Sequence, residues 1–278
     1  MGQVHITKRA EVATSHRCFR PDWDDRQNEA VYGIERHPHG HNYLVEATIS
    51  GSVDPVTGMV ANIKDLKAAM GNVLADYDHR NLNSDHPGFA TTVPTSERAA
   101  EAIRETLAAA LAPHRVERVR LFETDDIYFE AVHPNGPEYP KEAHGTMLIT
   151  RRYQFSASHR LHSEVLSDAD NQALFMDCNN AGGHGHTYTL AVTVQGDINR
   201  ETGLAADHAS LDSAIREAVV DRYNYTDLND VEELKGAVTT SENIVRAIWE
   251  RLEKRLGEGA LYRVALGETR DNHFEYYG

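Results

Sequence analysis

The sequence predicts an α+β fold built twice. Two observations carry this. A histidine constellation recurs: Ser15-His16 with His39-Gly40-His41 returns as Ser158-His159 with His184-Gly185-His186, 143 residues on for the first element (16 to 159) and 145 for the second (39 to 184). Gly58, Thr95-Ser96-Glu97 and Glu123-Thr124 return as Gly203, Thr240-Ser241-Glu242 and Glu268-Thr269, all 145 residues on. The second observation is the order of elements within each half, two strands, two helices and two strands, which makes an α+β unit with an antiparallel four-stranded sheet. A period of this length exceeds a solenoid repeat of roughly 20–50 residues. It fits a duplicated domain, and 278 residues at 40% hydrophobic content supply two cores.

In the first half, Val4 to Val12 reads as a strand leading to His16. The polar stretch Arg20 to His37 reads as a loop over the site. From His41 to Ile49 the pattern alternates, with Tyr43, Val45, Ala47 and Ile49 on one face, which is a strand signal. Asp54-Pro55-Val56-Thr57-Gly58 is a turn by its Pro and Gly. Ile63 to Tyr77 has apolar residues at helical spacing, and a second helix, Ala99 to Leu111, follows the N-cap candidates Thr95 and Ser96. Strands Val116 to Glu123 and Ile127 to Val132 close the unit. The second half repeats the order: strands Leu148 to Ser156 and Thr187 to Gly196, a turn at Asp197 to Gly203, helices Ala209 to Tyr223 and Ser241 to Leu256, and strands Tyr262 to Gly267 and His273 to Tyr277. The domains are therefore 1–133 and 146–278. The linker, 134–145, begins Pro134-Asn135-Gly136-Pro137-Glu138-Tyr139-Pro140, whose prolines prevent regular structure. An open four-stranded sheet leaves two edges, so edge pairing and a homo-oligomer are expected.

The net charge is −15. That argues against non-specific nucleic-acid binding, which needs a basic face, and against an anionic membrane surface. No run of 18 apolar residues is present, so no membrane span is expected. Two cysteines, Cys18 and Cys178, make no disulfide framework. With no leader pattern at the N-terminus, a cytoplasmic location is the expectation.

His184 and His186 stand two apart on a strand and project from one face. His159 ends the preceding strand. Three imidazoles converging leave a fourth position open, an arrangement that suits Zn²⁺ best. His16, His39 and His41 form the same set in the first half. Cys178 lies six residues before His184, where a cation stabilises a thiolate that can act as a base. The same count back from His39 reaches Gly33, with Glu35 close by. Asp78-His79 is an acid–imidazole pair suited to proton transfer; its counterpart in the second half reads Asn224-Tyr225. Glu123 and Glu268 end strands, where a carboxylate can take two parallel hydrogen bonds from a guanidine-like ring edge. Glu97 and Glu242 are first-turn acids facing the helix dipole.

On these residues the sequence resembles the 6-pyruvoyltetrahydropterin synthases and the related 6-carboxytetrahydropterin synthases. The second half carries it through Phe155-Ser156-Ala157-Ser158-His159-Arg160-Leu161-His162, Cys178-Asn179-Asn180, Gly183-His184-Gly185-His186, Gly203, Thr240-Ser241-Glu242-Asn243 and Glu268-Thr269. The first half carries it more loosely through His16, His39-Gly40-His41, Asp78-His79-Arg80-Asn81-Leu82, Thr95-Ser96-Glu97 and Glu123-Thr124. The resemblance implies two tandem tunnelling-fold domains, in which hairpins of several domains join into a barrel. It implies zinc on each histidine triad and 7,8-dihydroneopterin triphosphate as substrate. The reaction it implies is a carbon–oxygen lyase step that eliminates triphosphate. Cys178 would be the proton acceptor, assisted by Asp78-His79, and Glu268 would grip the pterin edge. Glu123, Thr240 and Glu242 complete the candidate substrate-binding set. Each half lacks what the other holds, so the resemblance implies one composite site joining Cys178 and its triad to Asp78-His79. The alternatives are a 6-carboxytetrahydropterin synthase of queuosine-type deazapurine biosynthesis and a catalytically impaired pterin-binding protein. Separately, Glu35 lies four residues before His39, where some relatives carry a glutamate in place of the cysteine and cut the side chain rather than eliminate triphosphate.

Overall fold

The computed structural model describes residues 3–133 and 147–278, so the linker expected at 134–145 lies outside the described residues. The chain forms two compact units. Unit one is Met1–Ile149 with Gln195–Asp207, and unit two is Thr150–Val194 with His208–Gly278.

Unit one runs β1 (Val4–His16), α1 (Asp25–Tyr32), β2 (His39–Gly51), α2 (Ile63–Leu74), β3 (Arg80–Asn81), α3 (Ser96–Ala110), β4 (Arg115–Thr124) and β5 (Ile127–Val132). Its strand order is β5-β4-β2-β1-β3. β1 and β2 are antiparallel from Val4 opposite Gly51 to His16 opposite His39. This register delivers both hairpin ends to one place. The alternation predicted from Tyr43 to Ile49 is present, with Tyr43, Val45, Ala47 and Ile49 all buried. Leu66 and Met70 of α2 and Ile103 and Leu107 of α3, each pair one helical turn apart, bury the apolar stripes of the two helices.

The stretch 20–37 is not a loop throughout. It contains α1 and a 3₁₀ turn, Gly33–Arg36. A capping box starts α1: Asp24 accepts from the Gln27 N–H, and the Gln27 side chain accepts from the Asp24 N–H. Asn28 is fully buried and serves as a polar core, accepting from the Arg20 N–H and donating to the carbonyls of Arg20, Trp23 and Asp24. A segment organised around an asparagine shows no apolar periodicity, so the pattern had nothing to detect.

Unit two repeats the plan with β6 (Met147–His159, its first three residues counting with unit one), α4 (Asp168–Phe175), β7 (His184–Gly196), α5 (His208–Ile215), α6 (Asp221–Tyr223), β8 (Thr226–Asp227), α7 (Ser241–Leu256), β9 (Leu261–Gly267) and β10 (His273–Tyr276). The strand order is β10-β9-β7-β6, with β8 parallel to β6. The helix expected from Ala209 to Tyr223 is interrupted by a π turn at Arg216–Val220 between α5 and α6. Asn171 repeats the role of Asn28. Among the described residues, no helix is long and apolar enough to cross a membrane.

Candidate active site

Each unit gathers three imidazoles at the end of its long hairpin. In unit one the ring centroids are 4.4 Å apart for His16 and His39, 5.3 Å for His16 and His41, and 5.0 Å for His39 and His41. In unit two the matching separations for His159, His184 and His186 are 4.6, 5.2 and 5.0 Å. Within each triad the candidate ligand nitrogens all lie within 4.8 Å of one another. The six histidines singled out from the sequence are thus brought together as two sets of three.

The surrounding bonds set the ring orientations. Nδ1–H of His16 donates to the Pro94 carbonyl at 2.7 Å, and Nδ1–H of His159 to the Thr239 carbonyl at 2.8 Å, which turns Nε2 of each ring toward its partners. His39 Nδ1 is tied to the His37 carbonyl at 2.7 Å. Such outer hydrogen bonds fix the tautomer of a metal-binding histidine. Nε2 of His41, Nδ1 of His184 and Nε2 of His186 are buried with no hydrogen-bond partner. Burial, and secondarily the neighbouring imidazoles, pull His16 and His41 down to about 4. The same causes lower His159; burial and His184 lower His186. Imidazoles of lowered pKa such as His16 and His41, with unpaired Nε2 atoms on His41 and His186, fit a divalent cation, and three histidine ligands leave a coordination position open.

A second layer joins each triad to a carboxylate. The Tyr43 hydroxyl lies 3.3 Å from His16 Nε2 and 2.8 Å from Ser96 Oγ, and Ser96 donates to Glu123 Oε1 at 2.5 Å. In unit two Ser241 donates to Glu268 Oε1 at 3.0 Å, which lies 3.8 Å from His159 Nε2 and 3.9 Å from His186 Nε2. Sequence reasoning named the glutamates and the Thr-Ser-Glu strings but gave Ser96 and Ser241 no part in holding the glutamates. It also missed Tyr43, whose counterpart Tyr188 keeps its hydroxyl buried without a hydrogen-bond partner among the described residues. The signal was present, since both pairs recur at the 145-residue offset.

The place of Cys178 in unit one belongs to Glu35, not to Gly33. Cys178 sits in a 3₁₀ turn, Met176–Asn179, and its carbonyl accepts from the Leu161 N–H at 2.9 Å. The Glu35 carbonyl accepts from the Cys18 N–H at 2.8 Å in the matching turn. Counting back from His39 failed because the segment between this turn and β7 is two residues longer than its counterpart. Glu35 lines a cleft of about 440 Å³ with His39, His41 and Glu123. The Cys18 thiol is buried beside it; desolvation, and then Glu35, push the thiol well up, which makes it no nucleophile.

Asp78 and His79 form the expected pair, with Nδ1 of His79 3.0 Å from Oδ1 of Asp78, which also accepts from the Ala13 N–H at 3.0 Å. His79 lines a cleft of about 730 Å³ with His41 and Glu123. Tyr225 takes the same place in unit two: His79 donates its N–H to the Ala13 carbonyl and Tyr225 to the Ser156 carbonyl, both at 2.6 Å, and both residues have positive φ. Tyr225 lines a cleft of about 520 Å³ with His186. Of the remaining candidates, Thr240 precedes α7 and Glu242 is exposed in its first turn.

Together these features define a tandem α+β protein that presents one metal-competent three-histidine site per repeat, each backed by a serine-held glutamate. The family model for 6-pyruvoyl tetrahydropterin synthase matches residues 5–134 and again 148–278. The chain belongs to that family. It is 43% identical over 131 residues to the 6-pyruvoyl tetrahydrobiopterin synthase of Homo sapiens, covering 47% of this chain and 90% of the relative. It is 39% identical over 92 residues to a putative 6-carboxy-5,6,7,8-tetrahydropterin synthase of Archaeoglobus fulgidus, covering 33% and 73%. A solved structure of the Caenorhabditis elegans 6-pyruvoyl tetrahydropterin synthase aligns with 39% identity and a TM-score of 0.45, over 47% of this chain and 94% of that one.

Proposed function

We propose that the chain is a zinc-dependent lyase that eliminates triphosphate from 7,8-dihydroneopterin triphosphate to give 6-pyruvoyl-tetrahydropterin, working as a homo-oligomer in the cytoplasm. The observation that carries this reading is the conjunction, in unit two, of the His159, His184 and His186 triad with Glu268 within 4 Å of two of its rings and Cys178 in the turn that leads into β7. A divalent ion on the triad supplies Lewis acidity toward side-chain oxygens of the substrate. Cys178 removes the C1′ proton, and its return to C6 with the C1′ hydroxyl proton passing to N5 oxidises the side chain as the ring becomes tetrahydro. Removal of the C2′ proton leaves the electron pair that expels triphosphate from C3′. Asp78-His79 relays the proton, Asp78 holding the imidazole in orientation. Glu268 accepts hydrogen bonds from the pterin N–H and amino edge, with Glu123 in the same place at the first triad. Thr240 and Glu242 act through Ser241 between them, which holds Glu268. The test is incubation with 7,8-dihydroneopterin triphosphate and identification of products by mass spectrometry. Released triphosphate with a 6-pyruvoyl product supports the reading; an unchanged substrate with zinc bound supports an impaired pterin-binding protein instead.

A second reading applies to the first triad. Unit one holds by itself a triad, the carboxylate Glu35 on the same cleft as His39 and His41, and His79, held by Asp78, on a cleft with His41 and Glu123. This set supports a glutamate-based reaction that cuts the substrate side chain at that triad. Its product is distinguishable in the same mass spectrum.

A further inference from the structure

Both repeats build the same turn, and both build the same landing face for it, yet among the described residues one turn is seated on one face and the other pair is not joined. In unit one the Asn199 side chain accepts from the N–H groups of Glu201 and Thr202, at 2.8 and 3.0 Å. The Gly203 N–H donates to the Asn199 carbonyl at 2.8 Å, and the Asn199 N–H to the Leu204 carbonyl at 2.9 Å. This turn is seated. The Thr95 hydroxyl donates to the Gly203 carbonyl at 2.7 Å, the Tyr32 hydroxyl to the Thr202 carbonyl at 2.9 Å, and the Ala205 N–H to Glu97 at 3.3 Å. Leu204 packs with Cys18, Tyr32 and Val93. Thr95 and Glu97 are fully enclosed.

The first repeat makes the same turn, and among the described residues its counterpart positions stay exposed. Asp54 accepts from the N–H groups of Val56 and Thr57, at 2.9 and 2.7 Å. Gly58 donates to the Asp54 carbonyl at 2.8 Å, and Asp54 to the Met59 carbonyl at 2.9 Å. Met59, the counterpart of Leu204, is 45% exposed, and Val56 is 91% exposed. The face that matches in unit two is half-buried at Leu161, Phe175, Val238 and Thr240 rather than enclosed. Leu161, Phe175, Val238, Thr240 and Glu242 stand where Cys18, Tyr32, Val93, Thr95 and Glu97 stand in unit one. The Thr240 side chain makes no cap bond to α7, Glu242 is exposed, and Leu174, the counterpart of Val31 beside the enclosed cluster, is 63% exposed.

We infer that the 54–59 turn of one chain seats on this face of unit two in a second copy of the same chain. The seated turn of unit one is the template. Met59 enters against Leu161, Phe175 and Val238. The Thr240 hydroxyl donates to the Gly58 carbonyl, and Glu242 accepts from the Val60 N–H. The interface joins two different surfaces, so each chain offers one turn and one face, and the assembly closes as a ring or grows as a filament. It also bears on the site. Thr240 and Glu242 flank Ser241, which holds Glu268, so the incoming turn encloses the α7 end that positions this carboxylate.

This inference rests on the homo-oligomer reading and specifies its joint. The test is sedimentation of the full chain with Met59→Glu and with Leu174→Glu, both exposed positions, with circular dichroism confirming native folding. Each variant is expected to weaken self-association by roughly 10- to 100-fold, the worth of one buried apolar side chain. Mixed together, they are expected to form a two-chain species, because the Met59→Glu chain keeps a sound face and the Leu174→Glu chain keeps a sound turn. A wild-type monomer overturns both the oligomer reading and the joint. A wild-type oligomer unaltered by Met59→Glu overturns the joint alone, whatever the behaviour of Leu174→Glu. Two weakened variants that yield no mixed species overturn the head-to-tail pairing.

Discussion

Glu35 and Cys178 hold the same place in the two repeats, each carbonyl closing the same bond to the end of the first strand, at 2.8 Å from Cys18 and 2.9 Å from Leu161. A carboxylate and a thiol are bases of different strength and reach. Two triads of nearly equal geometry are thus preceded by matching turns that carry different side chains, a carboxylate in one and a thiol in the other.

Cys178→Ala is expected to remove the 6-pyruvoyl product and leave any side-chain-cleaved product, while Glu35→Gln does the reverse. Loss of a general base costs roughly 10²- to 10⁴-fold. Mass spectrometry of the products of both variants checks this. Equal loss of one product in both variants would show that only one site turns over.

His79→Ala is expected to lower formation of the pyruvoyl product by roughly 10²-fold or more. Combined with Cys178→Ala, it should add little, because groups that act as one unit are not additive. Full pyruvoyl activity in His79→Ala would remove the dyad from the composite site.

Metal analysis of the purified chain is expected to give two zinc ions per chain. His184→Ala and His39→Ala should each lose one ion and retain the other. Retention of both ions in either variant would contradict ligation by that triad.

Gly203 and Gly58 both have positive φ, at 82° and 71°, but a methyl group on Gly203 would meet the Thr95 side chain at 3.0 Å, whereas one on Gly58 meets nothing within 4 Å. Gly203→Ala is therefore expected to destabilise by roughly 1–3 kcal/mol from backbone strain, with crowding added. Gly58→Ala should cost less in dilute, dissociated protein. Thermal melts of the two variants compare them directly.

Glu233 lies 2.7 Å from Arg222, 3.1 Å from Arg251 and 3.0 Å from the Tyr223 hydroxyl. Partial burial works to raise its pKa, but the Arg222 hydrogen bonds and the other partners outweigh it and bring the carboxyl down to about 2. A depressed carboxylate stabilises the fold above its unfolded value of about 4.3, and that contribution fades as pH falls through the folded value. Glu233→Gln should thus lower the melting temperature at pH 7 and make little difference near pH 2. An equal effect at both values would assign the loss to packing.

The repeat, the strand and helix order and the two histidine triads were all legible in the sequence, because each depends on spacing. A strand places residues i and i+2 on one face, and His39 and His41, or His184 and His186, cannot avoid sharing theirs. The glutamates closing the site were legible for the same reason, as strand ends at a fixed offset. Other features depended on which remote segments meet. The place of Glu35 required the backbone bond to Cys18, because a two-residue difference in the following segment defeats counting along the chain. The helix α1 required Asn28 to act as its core, which no apolar period announces. Thr95-Ser96-Glu97 and Thr240-Ser241-Glu242 are identical as strings, yet Glu97 is enclosed and Glu242 is bare. Local pattern governs contacts within about one helical turn or one strand pair. Burial is set by whatever surface arrives from elsewhere, so only the tertiary structure could show that Gln195–Asp207, second-repeat by sequence, packs as part of unit one.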